Sequence, residues 1–331
     1  MVPCQFAPCS ASRGGNGYNP HVGKNLSRRS GPFCRLGASY IRRQTKRLER
    51  EARATARGQE EGIHDARVSS RRLREALKIF GDCFSAKRVR RWRRKCRRLG
   101  RRLGPARDAQ VQKFWLEQAL ARTSNAPHRA AIGRLIRQVE KDFQAAMPHV
   151  LQAVEKLQAD DLVEEMRQAA RRLLKKDRKP ASAAVRRRAR REVLSRLADL
   201  LAAAVSLEDE ADVPGHHQMR IRAKRLRYAL EMFRPAYGRP LDAIIARAKK
   251  LQTLLGDLHD GDVWVGLLRG FLNPEPSGGR AGPSRANRAA IKALIAAQQQ
   301  RNGELFSALV SYWRELDQRA VWPRLRKLLA K

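Results

Sequence analysis

The sequence predicts an all-α fold made from two copies of one basic helical unit, and three observations lead to it. HDARVSSRRLREALKIF, His64 to Phe80, returns as HQMRIRAKRLRYALEMF, His217 to Phe233, at a constant offset of 217 − 64 = 153 residues. Apolar residues recur at helical spacing through most of the chain beyond residue 36, and no segment alternates as a strand would. Hydrophobic residues make up 42% of 331, enough to bury the core of one large or two modest domains.

Residues 1–34 are rich in Gly, Pro, Ser and Asn and are expected to form a disordered tail. Leu36 to about Arg57 is Ala-, Arg- and Glu-rich, has no interior proline and reads as a helix ending near Gly58. In the repeated helix that follows, His64, Arg67, Arg71, Arg74 and Lys78 fall within an arc of roughly 80°, opposite Ala66, Leu73, Leu77 and Phe80. The second copy sets His217, Arg220, Lys224 and Arg227 opposite Met219, Leu226, Leu230 and Phe233, with Glu231 in place of Lys78. A charge run is usually only a solvated face. Solvation alone does not require a histidine one turn ahead of the same cationic positions twice.

Ala86 to Arg107 carries 12 basic residues in 22 and no acidic one. As a helix it gathers Val89, Trp92, Cys96, Leu99 and Leu103 on one arc, and spreads Arg90, Arg94, Arg97, Arg98 and Arg101 around the other side. Trp92 therefore reads as packing and not as a stacking platform. Leu103-Gly104-Pro105-Ala106-Arg107-Asp108 recurs as Leu255-Gly256-Asp257-Leu258-His259-Asp260, offset by 255 − 103 = 152. Both glycines are expected to permit a close approach or a kink, and Pro105 to break the first copy. Asp108 and Asp260 could cap a helix or hold an Arg by a bidentate bond, structural roles in either case.

Helical pattern resumes at Val111 to Ala121, from His128 to about Gln158, and in DLVEEMRQAARRLLKK. KDRKPAS marks the boundary between a first copy, about 36–178, and a second, about 182–330. Ala183 to Leu207 is helical, EDEADVPG is an acidic loop, and Leu241 to Leu255 is a milder counterpart of the arginine-dense helix, with Arg247, Lys249 and Lys250. NPEPSGGRAGPS is a flexible loop, and Pro323 is expected to kink the last helix.

With 71 Lys and Arg against 32 Asp and Glu, the net charge is +39, so part of it is expected to hold a polyanion. Five unevenly placed cysteines, Cys4, Cys9, Cys34, Cys83 and Cys96, argue for reduced thiols in a cytosolic protein. No apolar run approaches the length of a membrane span, and the N-terminus lacks a signal-peptide pattern.

The chain resembles the CHAD family, the conserved-histidine α-helical domain. The resemblance rests on His64-x-x-Arg67-x-x-x-Arg71-Arg72-Leu73-Arg74, on His217-x-x-Arg220-x-x-x-Lys224-Arg225-Leu226-Arg227-Tyr228, and on the two Leu-Gly-x-x-x-Asp turns. It places the domain at about 35–331. The resemblance implies two four-helix bundles related by pseudo-twofold symmetry, with basic helices lining a central cleft or pore, and binding of inorganic polyphosphate. Association with polyphosphate granules would follow. The acidic Glu-x-Glu-x-Lys signature of the triphosphatase domain that some members carry is not found, so this looks like the stand-alone form. His259 stands where the family's second turn often has Asn, and the second copy is the less basic of the two.

The expected polyphosphate contacts are His64, Arg67, Arg71, Arg72, Arg74, Lys78, Arg90, Arg94, Arg97, Arg98, Arg101, His217, Arg220, Lys224, Arg225, Arg227, Lys249 and Lys250, with Asp108 and Asp260 orienting them. Polyphosphate offers dense charge and no base edges, which suits repeated Arg forks. Metal binding by His64, His216, His217 and His259 is disfavoured by the surrounding arginines, and no cofactor is expected. Catalysis is not expected either, since paired carboxylates, a phosphate-cradling Gly-rich loop and an activated nucleophile are all missing. Non-specific nucleic-acid binding is the rival reading, although zinc-finger, RNP-type and helix-turn-helix signatures are lacking.

Overall fold

The computed structural model describes residues 31–175, 183–273 and 284–330. Every regular element among them is helical: α1 (Pro32–Ala56), α2 (Glu60–Ile79), α3 (Ala86–Arg102), α4 (Gly104–Arg122), α5 (Ala126–Ala159), α6 (Leu162–Leu174), α7 (Ala183–Ala202), α8 (Val213–Tyr237), α9 (Asp242–Leu272), α10 (Arg285–Gln318) and α11 (Val321–Ala330). KDRKPAS and most of NPEPSGGRAGPS lie outside the described residues, as do residues 1–30.

The repeated stretches are α2 and α8, and their apolar faces are buried as the periodicity requires. Leu73, Leu77 and Phe80 in one, and Met219, Leu226, Leu230 and Phe233 in the other, are all at most 1% exposed. Each such Leu or Phe contributes about 2 kcal/mol. Phe80 and Phe233, equivalent positions of the repeat, touch each other with ring centroids 5.7 Å apart. Gly37 lets α1 lie against this pair, because a Cβ there would sit 2.4 Å from the Phe80 ring.

The buried core does not divide between the halves of the sequence. Its main cluster runs from Leu48 and Trp92 through Leu226 to Leu325. A smaller one joins Leu116, Ile132 and Val139 to Val265, Leu268 and Ile291, from α4, α5, α9 and α10. Beside it, the Trp115 and Trp264 rings stack at 4.8 Å.

Several boundaries differ from the sequence reading. The expected tail extends too far, because Pro32 opens α1 and Phe33 packs on Phe80 at 4.9 Å. Cys34 and Cys83 are joined in a disulfide, not reduced, because the first turn of α1 lies against the Gly81–Cys83 turn after α2. Cys96 is free and buried, and burial pushes its thiol up to about 12. Cys4 and Cys9 fall outside the described residues. α8 begins at Val213, within the expected acidic loop, with Asp212 accepting a bond from the Gly215 amide at 2.9 Å. Pro323 does not kink a continuous helix. The chain breaks before it, at Ala320 with φ +49°, and Pro323 lies in the first turn of α11.

The arginine-dense segment breaks at Leu103, between α3 and α4, and Pro105 lies in the first turn of α4. Its counterpart α9 runs unbroken through Gly256, where a Cβ would meet nothing within 4 Å. The close approach expected at Gly256 is therefore absent. No described helix is long and apolar enough to cross a membrane.

Candidate functional site

Packing the apolar backs of α2 and α8 into one core turns their cationic fronts toward each other. Arg71 donates from Nε to the Tyr228 hydroxyl at 3.2 Å, tying the helices together one turn beyond Lys224. Arg67 reaches back over the α3–α4 break, where its Nη1 is 3.5 Å from Asp108 Oδ1 and 3.0 Å from where a Gly104 Cβ would stand. Glycine at 104 makes room for this guanidinium.

Charges gathered this way act on one another. Burial, reinforced by Arg220 and Arg71, pulls the Lys224 amine down to about 7, and Asp260 opposes the shift. Burial likewise lowers Arg220, with Asp260 opposing and Arg71 and Arg67 adding to the effect. Arg107 is lowered by burial and by Arg67. Asp108 and Asp260 each keep an exposed face, yet partial desolvation by the crowded groups around them raises both, Asp108 against the pull of Arg67 and Arg107, and Asp260 against that of Arg220, Lys224 and Arg107. Asp108 meets Arg67 through a single long contact instead of the bidentate bond. Neither aspartate caps a helix, since Leu103 and Leu241 hold the N-cap positions of α4 and α9.

The histidines border the cluster. Partial burial lowers His64, and Arg107 adds to the shift. His217 is lowered by burial, then by Arg220 and Lys224. Its Nδ1 lies 3.3 Å from Nδ1 of His259, and burial with Arg220 and His217 brings His259 down to about 3. A proton shared between two ring nitrogens so close leaves no room for a second, so the pair is not doubly charged. Arg107 and His259 occupy equivalent positions of the repeat, 259 − 107 = 152, and each stands beside its copy's histidine.

Other expected contacts are placed differently. Arg72 Nη1 is 3.0 Å and Arg227 Nε 3.5 Å from the Glu231 carboxylate, and both guanidinium groups lie over the Tyr228 ring at 5.2 Å. These two arginines hold an internal carboxylate, because α2 and α8 meet where the second copy exchanges a lysine for Glu231. Beside them, burial pushes the Tyr40 hydroxyl up to about 12. Lys78 pairs with Glu75 on its own helix at 2.9 Å. Lys250 sits over the Tyr312 ring at 4.2 Å, on the side of α9 that meets α10, and so does not join the cluster. Lys249 and Arg225 are exposed.

Along α3, Val89, Trp92, Cys96 and Leu99 are buried, and Arg90, Arg94, Arg97, Arg98 and Arg101 are exposed. Trp92 donates from Nε1 to Glu165 at 3.1 Å, a packing role. Arg74 joins this surface to α2: burial lowers it, and Arg97 and Arg93 add to the shift. Arg93 and Arg107 are the members that sequence reasoning missed. The repeat pointed to Arg107, through its match with His259, whereas Arg93 had only its place one turn before Arg97.

Arg67, Arg71, Arg107, Arg220 and Lys224 thus share one site with two carboxylates, leaving cations in excess. Such a site suits an anion with several oxygens, each held by an Arg fork. Among the described residues no group of three or more His, Cys, Asp or Glu is arranged to hold a metal ion.

Residues 39–269 match the family model described as the CHAD domain. Among solved structures, the CHAD domain from the plant Ricinus communis is 24% identical, with a TM-score of 0.63, covering 83% of this chain and 90% of that one. PptA from Streptomyces chartreusis is 19% identical, with a TM-score of 0.62, covering 84% and 98% respectively. No protein of curated function matches the chain. Because the family model spans well over half of the sequence, and both structural neighbours share its helical fold, the chain belongs to the CHAD domain family.

Proposed function

We propose that this protein binds inorganic polyphosphate without catalysis, the polymer running between α2 and α8 and onto the exposed arginines of α3. The observation that carries the reading is the convergence of Arg67, Arg71, Arg220 and Lys224 from the two repeats, with the Lys224 amine pulled down to about 7. Cations held this close destabilise one another until an anion joins them. A flexible chain of phosphates supplies closely spaced charge along the whole surface, and its binding releases counterions as nucleic-acid binding does.

In the same reading the fold is an internal duplication. α1, α2, α3 with α4, and α5 would form one four-helix bundle, and α7 to α10 the other, about a pseudo-twofold axis passing near the Phe80–Phe233 contact. The two sequence repeats support this, as does the meeting of α4 with α9 at the tryptophan stack. Docking to polyphosphate granules follows from the same chemistry.

The direct test is calorimetric titration with long-chain polyphosphate at about 0.15 M salt, where weak surface attraction is screened. A variant carrying Arg67→Ala, Arg71→Ala, Arg220→Ala and Lys224→Ala is expected to lose roughly a thousandfold in affinity, from about 1 kcal/mol per lost contact. Unchanged affinity would remove the site.

A further inference from the structure

Tyr228 stands where arginines from both repeats meet. Its hydroxyl accepts from Arg71 Nε at 3.2 Å, and the guanidinium groups of Arg72 and Arg227 each lie 5.2 Å from its ring centroid. The residue is 2% exposed, and the Glu231 carboxylate holds the two covering arginines, Arg72 at 3.0 Å and Arg227 at 3.5 Å. The hydroxyl is therefore a fixed point, set by packing that does not involve Arg71. Arg71 gives only its Nε to this contact, and among the described residues its two Nη groups have no partner.

An untethered arginine side chain samples many rotamers, and ordering it on a ligand costs affinity. A bond at Nε removes much of that freedom and leaves the outer fork, Nη1 with Nη2, to grip two phosphate oxygens. We propose that Tyr228 is a positioning residue for polyanion binding, which holds the Arg71 guanidinium across the α2–α8 crossing with its outer edge presented to a phosphate group. This rests on the reading of the cluster as a polyphosphate site, and adds to it an uncharged residue that acts through another.

The repeat shows that the tether belongs to one side. Arg71 corresponds to Lys224 and Glu75 to Tyr228, since 224 − 71 = 228 − 75 = 153. The equivalent bond, from Lys224 to Glu75, is absent among the described residues, and Glu75 instead accepts from Lys78 on its own helix at 2.9 Å. Of these two matched cations, Arg71 is the one ordered in advance of its ligand.

The test is a double-mutant cycle on the full-length protein, read by calorimetric titration with long-chain polyphosphate at about 0.15 M salt. Tyr228→Phe keeps the ring between its arginines and removes only the acceptor, so it is expected to weaken binding about threefold to tenfold, the worth of one hydrogen bond. In an Arg71→Ala background the same change should alter affinity by less than about twofold. A tyrosine with a purely structural role would cost as much in both backgrounds, and that result, or unchanged affinity in Tyr228→Phe alone, overturns the proposal. A second measurement needs neither a Tyr228 variant nor a ligand. The Arg71 Nε–H signal in proton–nitrogen NMR, assigned by its loss in Arg71→Lys, is expected to exchange with water at least about tenfold more slowly than that of the exposed Arg94. Equal exchange of the two would also overturn the proposal. Tight polyphosphate binding without coupling between Tyr228 and Arg71 defeats this inference alone, whereas a wild-type protein that does not bind polyphosphate defeats the proposed function and this inference together.

Discussion

Arg71 on α2 donates through Nε to the hydroxyl of Tyr228 on α8, 3.2 Å away, so the two repeated helices meet with their cationic fronts inward. One turn before Tyr228 stands Lys224, which gives this arrangement a measurable pH signature.

Binding of polyphosphate should weaken as pH rises above about 7. In the free protein the Lys224 amine titrates at about 7, and a bound polyanion raises that value. Binding therefore takes up a proton above pH 7, and affinity falls by up to about tenfold per pH unit until the bound form also loses its proton. Dissociation constants at pH 6, 7, 8 and 9 check this. Lys224→Arg should flatten the profile above pH 7, and equal wild-type affinity at pH 6 and pH 8 would contradict the account.

Without ligand, the fold should lose stability on acidification in two windows. Lys224 titrates at about 7 when folded and near 10.5 when unfolded, so between these values only the unfolded chain holds the proton, and stability rises with pH there. His259, at about 3 against 6.5, acts the same way in the acid window. Melting temperatures from pH 4 to pH 10 should show both limbs. Lys224→Met should remove the upper one, and saturating polyphosphate should raise the melting temperature most at low pH.

Glu231 should matter to folding more than any cation it holds. Glu231→Ala leaves Arg72 and Arg227, with side chains 19% and 12% exposed, without their shared carboxylate, at an expected cost of about 2–3 kcal/mol. Glu231→Lys, which copies the residue at 78, should cost more. Urea denaturation measures both, and a change below about 0.5 kcal/mol for Glu231→Ala would show that the pairing is not stabilising.

The two repeat glycines should respond in opposite ways. Gly256→Ala lies inside a continuous helix with nothing within 4 Å of the new Cβ, and should stabilise by about 0.5–1 kcal/mol. Gly104→Ala pushes its methyl against Arg67 Nη1 at 3.0 Å, so it should displace the guanidinium and weaken polyphosphate binding several-fold. Denaturation and titration of the two variants together decide it.

Much of this was legible in the sequence, because helical periodicity fixes which side of α2, α3 and α8 is buried. Leu73, Trp92 and Leu226 lie where the apolar arcs put them. The repeat also marked Arg67, Arg71, Arg220 and Lys224, which the fold brings together. Contacts between distant segments were not legible. Nothing local shows that Arg72 and Arg227 turn to Glu231, that Lys250 covers Tyr312, or that Cys34 meets Cys83. Spacing gives each residue its side of a helix, and the crossing of helices then decides which neighbour it finds there.

The most direct test of the central claim is competition between long-chain polyphosphate and duplex DNA for the wild-type protein at about 0.15 M salt. Polyphosphate is expected to displace DNA by orders of magnitude, and the Arg67→Ala, Arg71→Ala, Arg220→Ala, Lys224→Ala variant to lose this preference. If DNA competes on equal terms and the variant binds both as before, the facing stripes are a solvated surface and the +39 charge attracts any polyanion alike.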